Sequence, residues 1–217
     1  MMITFNQVSK RYSDGFAALN QVDFSLERGE MAFLTGHSGA GKSTFLKLVA
    51  LLEQPSSGQI VVNGVHLNHL KKSNASSFRS QLGITLQSPH LLNDRTVFEN
   101  VALPLRIQGA SSQLITKRAS AALDMVGLLN KEKSLPLCLS AGEQQRVGIA
   151  RAIVHKPALL LADEPTGNLD PSLSLEVMKL FEQLNQVGVA VLIATHDLPL
   201  IAGMRHRIFM LREGRLC

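Results

Sequence analysis

The sequence predicts an α/β fold in which short, buried, apolar strands alternate with helices in one domain. Three stretches carry that expectation. Gly36-His37-Ser38-Gly39-Ala40-Gly41-Lys42-Ser43-Thr44 lies between the strand-like run Met31-Ala32-Phe33-Leu34-Thr35 and the helix-like run Phe45 to Leu52. Ala158-Leu159-Leu160-Leu161-Ala162 is a fully apolar strand candidate that ends in Asp163-Glu164. Val189 to Ala194 is a third strand candidate, followed by Thr195-His196-Asp197.

The first stretch reads G-x-x-x-x-G-K-S, and strand, glycine turn and helix are the setting in which that motif cradles phosphate. Gly36, Gly39 and Gly41 permit unusual φ values, so consecutive backbone N–H groups, including those of His37, Ser38 and Ala40, can converge on an anion. The N-terminus of the following helix adds its dipole at the same point. Lys42 is expected to reach the β- and γ-phosphates, and the Ser43 hydroxyl to ligate Mg²⁺. The chain is therefore expected to bind a nucleoside triphosphate.

Bulk properties bound the alternatives. A length of 217 residues with 45% hydrophobic content suits one domain with a substantial core and room for a small insertion. The net charge of +5 is scattered along the chain, which favours a solvated surface over a nucleic-acid footprint. Cys138 and Cys217 are the only cysteines and form no C-x-x-C pair, which together with a nucleotide site indicates a reducing cytosol. No basic-then-apolar leader opens the chain, and no apolar run approaches the roughly 20 residues of a membrane helix. Any membrane role is expected to come through a partner.

Ile3 to Ser9 and Ala18 to Glu27 read as strands, the second with Val22, Phe24 and Leu26 on one face. Between them Tyr12, the single tyrosine, either stacks on a purine ring or packs at a sheet edge, and the residues alone leave both open. Pro55 to Gly58 marks a turn, Gln59 to Gly64 a strand, Lys71 to Ser80 a short polar helix, and Leu82 to Leu86 a strand leading to Gln87. From Thr96 to about Gly127 the pattern is helical, with Leu114, Ala121, Leu123, Val126 and Leu128 as its apolar face and Pro104 and Gly109 as breaks. This stretch reads as a helical insertion between two halves of the core, closed by a loop at Leu135-Pro136-Leu137.

Ser140 and Glu143 form a capping box that opens a helix running through Gln144, Val147, Ile149, Ala150 and Ile153. Adjacent carboxylates at the tip of a buried strand are costly unless they serve something. Beside a phosphate loop, the economical assignment gives Asp163 to Mg²⁺ and Glu164 to the attacking water, against the bland reading of two solvated acids. Ser172 to Leu184 is an amphipathic helix. His196, at the end of a strand, is placed to hydrogen-bond a γ-phosphate, although a lone loop histidine is as a rule structural. Arg207 to Arg212 and Gly214-Arg215-Leu216 read as a terminal strand and hairpin.

Taken together and in order, these residues resemble the ATP-binding-cassette ATPases along essentially the whole chain. Tyr12 falls at that family's adenine-stacking position, Gly36 to Thr44 at its Walker A loop and Gln87 at its Q-loop. Leu139-Ser140-Ala141-Gly142-Glu143 occupies its signature, Leu159 to Glu164 its Walker B strand, Asn168-Leu169-Asp170 its D-loop, and His196 its switch histidine. The fold so implied is a P-loop NTPase (RecA-like) core with an antiparallel β subdomain, 1–87 and 155–217, and an inserted α-helical subdomain, 88–154.

The resemblance further implies ATP and Mg²⁺ as ligands, with Ser43, Gln87 and Asp163 at the metal and Lys42, Glu164 and His196 at the reacting phosphate. It implies a head-to-tail homodimer in the ATP-bound state, with Walker A of one subunit facing Ser140, Ala141, Gly142, Glu143 and Asp170 of the other. Within the family, Phe33 to Thr44, Asp94-Arg95-Thr96-Val97 and Gly142 to Ala152 resemble the bacterial cell-division branch. That branch works on an integral membrane partner, peripheral on the cytoplasmic face, alongside other division proteins and with no direct nucleic acid. Lipoprotein-release and exporter motors share Leu161 to Asp170 and are the alternative. A soluble cassette acting on nucleic acid or ribosomes is disfavoured by the absence of sustained heptads between Lys42 and Ser140, and a scaffold without turnover by the full set of hydrolytic residues. One departure stands out: the family signature is usually L-S-G-G-Q, and Ala141 places a Cβ where a phosphate of the opposite subunit would approach.

Overall fold

The computed structural model describes residues 1–217, the side chain of Lys72 excepted. The chain opens with strands β1 (Ile3–Arg11), β2 (Ala17–Leu26) and β3 (Met31–Thr35), then helix α1 (Lys42–Val49), β4 (Ser57–Val62) and β5 (Val65–His66). Helix α2 (Lys72–Arg79), strand β6 (Gly83–Thr85) and helices α3 (Val97–Ile107), α4 (Ser112–Met125) and α5 (Ala141–Ile153) follow. Strand β7 (Leu159–Asp163), helix α6 (Pro171–Gln186), β8 (Ala190–Ala194), α7 (Leu198–Ala202), β9 (Arg207–Arg212) and β10 (Arg215–Leu216) complete it.

The larger sheet has the order β10-β9-β3-β8-β7-β6, with every pairing parallel except the terminal β9–β10 hairpin. Every residue of β3 and β8 is buried. Continuous apolar runs of this kind form strands covered on both faces. The register aligns their ends: Leu34 and Asp163 both pair with Ala194, and Thr85 pairs with Ala162. Whatever follows β3, β6, β7 and β8 therefore emerges along one edge of the sheet, the carboxyl edge where open α/β sheets bind ligands.

The smaller sheet, β2-β1-β4-β5, is antiparallel throughout. Its inner face meets α1 through a knot of aromatic rings. Phe45 stacks on Phe5 at 4.3 Å and meets Phe24 edge-on at 4.9 Å. Phe5 and Phe45 are essentially inaccessible, and each such ring contributes roughly 1.5–3 kcal/mol by burial. The helix behind the phosphate loop is thus clamped between two sheets.

The helical block differs from expectation in two places. Pro104 does not break α3 but lies inside it. The helix forgoes one backbone bond there and continues because Val97, Val101, Ala102 and Leu105 are buried on one face. The break is at Gly109, whose φ of +72° lies in the left-handed region. In α4 the buried face is Ala119, Ala122 and Leu123, while Leu114 and Ala121 are exposed. Helix α1 also begins earlier than its apolar run, because Lys42, Ser43 and Thr44 form its first turn. Helix α5 packs against both α3 and α4 and against β6 of the larger sheet. Among the described residues no helix is long and apolar enough to cross a membrane.

Candidate functional site

The four segments that leave the carboxyl edge enclose a cavity of about 570 Å³. It is lined by the phosphate loop from His37 to Thr44, by Gln87 after β6, by Glu164 after β7 and by His196 after β8. The loop's geometry depends on two glycines. Gly36 has φ +152° and Gly41 φ +108°, and a Cβ on either would strike a backbone carbonyl, that of Leu211 or of Ala18. Gly41 is also the N-cap of α1, which has neither a side-chain cap nor an acidic residue in its first turn. The orphan N–H groups and the positive end of the helix dipole therefore face the cavity without competition from the chain.

Lys42 is buried, and its ammonium donates to the carbonyl of Gly36 at 2.7 Å and of His37 at 3.3 Å. It stands 3.7 Å from Oε1 of Glu164. His37 donates from Nδ1 to the Ser38 carbonyl at 2.6 Å. Glu164 itself has φ +46°, a left-handed conformation that costs a non-glycine residue about 1–3 kcal/mol. Its N–H bonds the Ala194 carbonyl at 2.8 Å, and its carboxylate receives the backbone N–H of His196 at 3.4 Å and Nδ1 of the same residue at 2.9 Å. The kink after β7 aims this carboxylate into the cavity and ties it to the end of β8.

Asp163 precedes the kink and is partly buried. Burial pushes its carboxyl above the usual aspartate range and the neighbouring charge of Glu164 adds to this, while the Ser43 hydroxyl and Lys42 pull it back. Its Oδ1 is buried with no hydrogen-bond partner. An orphaned anionic oxygen beside a serine hydroxyl is a donor set suited to a hard divalent cation.

Tyr12 does not line this cavity. It is half-buried just beyond β1, and its hydroxyl bonds Thr44 Oγ1 at 3.1 Å and Glu53 at 2.9 Å, with the Lys10 ammonium 5.0 Å from the centre of its ring. The aromatic ring on the cavity wall is Phe16, which the sequence reading did not single out. It is 54% exposed, immediately after the Gly15 turn. No local pattern marks it in the sequence, because the phosphate loop begins at Gly36 and the two segments meet only in the fold.

The signature residues form a separate place. Ser140 caps α5 by accepting from the N–H of Glu143 at 3.3 Å, while the Glu143 carboxylate accepts the N–H of Ser140 at 3.0 Å and pairs with Lys131 at 2.5 Å. The Lys131 bond and then the Ser140 N–H hold that carboxyl below the ordinary glutamate value. Gly142 is buried against Leu173, whose Cδ1 would stand 2.9 Å from an added Cβ and would have to move aside. Ala141 is exposed on the first turn. Asp170 caps α6 through the N–H groups of Ser172 and Leu173 and the Ser172 hydroxyl. None of these five residues lines the phosphate-loop cavity of their own chain.

Comparison with known proteins decides the family. The model of the ABC transporter family matches residues 19–167. This chain belongs to the ATP-binding-cassette family. It is an ATPase of that family, and the cassette is similar over nearly its whole length to named relatives. The cell division ATP-binding protein FtsE of Escherichia coli (strain K12) is 57% identical over 215 residues, covering 99% of this chain and 97% of that one. FtsE of Mycobacterium tuberculosis is 44% identical, covering 100% and 94%. Among solved structures, a dimeric post-hydrolysis state of the ATP-binding cassette MJ0796 bound to ADP and Pi superposes with a TM-score of 0.90 at 33% identity, covering 99% and 96%.

Proposed function

We propose that this chain is the ATP-binding and ATP-hydrolysing subunit of a cell-division complex, a homodimer that works on an FtsX-like integral membrane protein. One observation carries the chemistry: the Glu164 carboxylate is fixed at the mouth of a phosphate loop, between the Lys42 ammonium and the His196 ring. Glu164 is the group that takes the proton of the attacking water, and His196 orients the transferred phosphate. Lys42 and the loop N–H groups hold the β- and γ-phosphates, and Phe16, the aromatic ring on the cavity wall, meets the base.

Ser43 and Asp163 would hold Mg²⁺, with Gln87 as the third contact. When bound, the ion screens the phosphate charge as the bond to the leaving group opens. The dimer is supported by the dimeric neighbour and by the distance of Ser140, Ala141, Gly142, Glu143 and Asp170 from their own chain's phosphate loop, which leaves them for the site of a second copy. The division role is supported by 57% identity over 99% of the chain to a cell division ATP-binding protein. A chain of this kind lies on the cytoplasmic face of the inner membrane through its partner, with further division proteins and no direct nucleic acid.

The test is capture of partners from native membranes with the Glu164→Gln form and ATP. Recovery of an FtsX-like protein is the expected result. Recovery of lipoprotein-release or exporter permeases would keep the motor and reassign the biology, and recovery of no membrane protein would overturn the coupling.

A further inference from the structure

Helix α5 begins at the Ser140 cap, and one of its faces makes contacts that the hydrolytic chemistry leaves unexplained. Gln145, Gly148 and Arg151 follow at intervals of three, so they share that face. All three meet the segment that carries Gln87. Gln145, itself buried, donates from Nε2 to the Leu86 carbonyl at 3.3 Å. Gly148 lies against Pro89, where an added Cβ would stand 2.8 Å from the proline Cβ. Arg151 donates from Nη1 to the His90 carbonyl at 3.2 Å and from Nη2 to the Pro89 carbonyl. Among the described residues Arg151 makes no ion pair, so its guanidinium fork is devoted to these two successive carbonyls. His90 is held at φ +44°, in the left-handed region. Ala141 and Gln144, on the first turn of α5, line a cavity of about 380 Å³ together with Gln87, Ser88 and Pro89.

We propose that Arg151 is a positioning residue that locks the 86–90 segment to α5, so that the Gln87 segment and the Ser140 signature turn move as one body. A planar fork bridging two carbonyls fixes direction as well as distance. Arg151 lies about 16 Å along the helix from Ser140 at 1.5 Å per residue, and a packed helix transmits displacement over that length without bending. A push on the 86–90 segment then reaches the signature, and through it the second copy's nucleotide, without passing through the phosphate loop of its own chain. This inference rests on the reading of the chain as a membrane-coupled ATPase.

Two variants test it from opposite directions. Arg151→Lys keeps the charge but cannot bridge both carbonyls, and Gly148→Ala pushes Pro89 off the helix. ATP hydrolysis is measured for the chain alone and for the complex with its native membrane partner. The basal rate is expected to stay near the wild-type value, while the melting temperature falls modestly with the overpacking and the lost hydrogen bond. The ratio of partner-stimulated to basal rate is expected to fall about fivefold or more, the lower end of ordinary coupling between sites. An unchanged ratio in both variants would overturn the lock, as would basal and stimulated rates falling in proportion, which marks a merely structural role.

A second readout needs no partner. Hydrogen exchange is followed in the Glu164→Gln chain with and without ATP, below the concentration at which the dimer forms, so that contact with a second copy does not itself protect the signature turn. Segments 86–90 and 141–145 should gain protection together, and adding Arg151→Lys should leave 86–90 responsive and 141–145 flat. Parallel responses in both forms would sink the proposal. If the wild-type complex shows no stimulation, the membrane-coupling reading falls alone, and exchange decides the lock.

Discussion

Oε1 of Glu164 lies 2.9 Å from Nδ1 of His196, although 32 residues separate them in sequence. The contact exists because β7 and β8 are adjacent parallel strands in register, Asp163 opposite Ala194, so that their next residues leave the sheet side by side. His196 is 65% exposed, so the pair adds little to stability. Its value is directional. If Glu164 is the general base, Glu164→Gln should bind ATP as wild type does and lose about 10²–10⁴-fold in turnover. Phosphate release in single-turnover conditions measures this, and substantial residual turnover would remove Glu164 from the role.

Asp163 gives a prediction in which stability and activity move in opposite directions. Burial raises its folded-state pKa above the ordinary 3.8, so the folded chain keeps the proton to higher pH than the unfolded chain does. The penalty for holding the charged form is therefore absent below the ordinary value and complete above the raised one. Asp163→Asn should melt higher than wild type at pH 7 without nucleotide or Mg²⁺, and the difference should close as pH falls towards 3.8. The same variant should lose Mg²⁺-dependent hydrolysis. A variant that melts at or below wild type at pH 7 would contradict the assignment of an uncompensated buried charge.

Phe16 is expected to contact the base. Stacking on a base is worth about 1–3 kcal/mol, so Phe16→Ala should weaken ATP binding about tenfold, with inorganic tripolyphosphate binding unchanged. Phe16→Trp should restore it. Calorimetry with the two ligands separates the cases, since an equal loss for both would mean that Phe16 holds the loop and not the base.

How far the sequence could be read depended on the range of the interaction. The loop from Gly36 to Thr44, the strand before Asp163 and the Ser140–Glu143 capping box were legible because each is a local pattern with one physical solution. The family resemblance supplied the two-sheet architecture. Phe16 was missed because its importance lies in which cavity it faces, a tertiary fact that a turn sequence does not encode. Pro104 misled because local propensity predicts a break that the buried face of α3 overrides. The grip of Arg151 on Pro89 and His90 spans about sixty positions and carries no spacing signature at all.

Ala141 is the residue whose effect the structure narrows most usefully. It is the first residue of α5, exposed, and next to the buried Gly142, which packs against Leu173. The helix gains from alanine at this point, since glycine in a helix interior is less favourable by roughly 1 kcal/mol, an upper bound for a first turn. If the Ala141 Cβ crowds the phosphate of the opposite subunit, Ala141→Gly should raise the rate of ATP hydrolysis while lowering the melting temperature slightly. Both are read on one preparation, by steady-state phosphate release above the concentration at which the dimer forms and by thermal unfolding. A variant that hydrolyses no faster than wild type would show that the methyl group is accommodated. The departure from the usual signature would then serve the helix start alone.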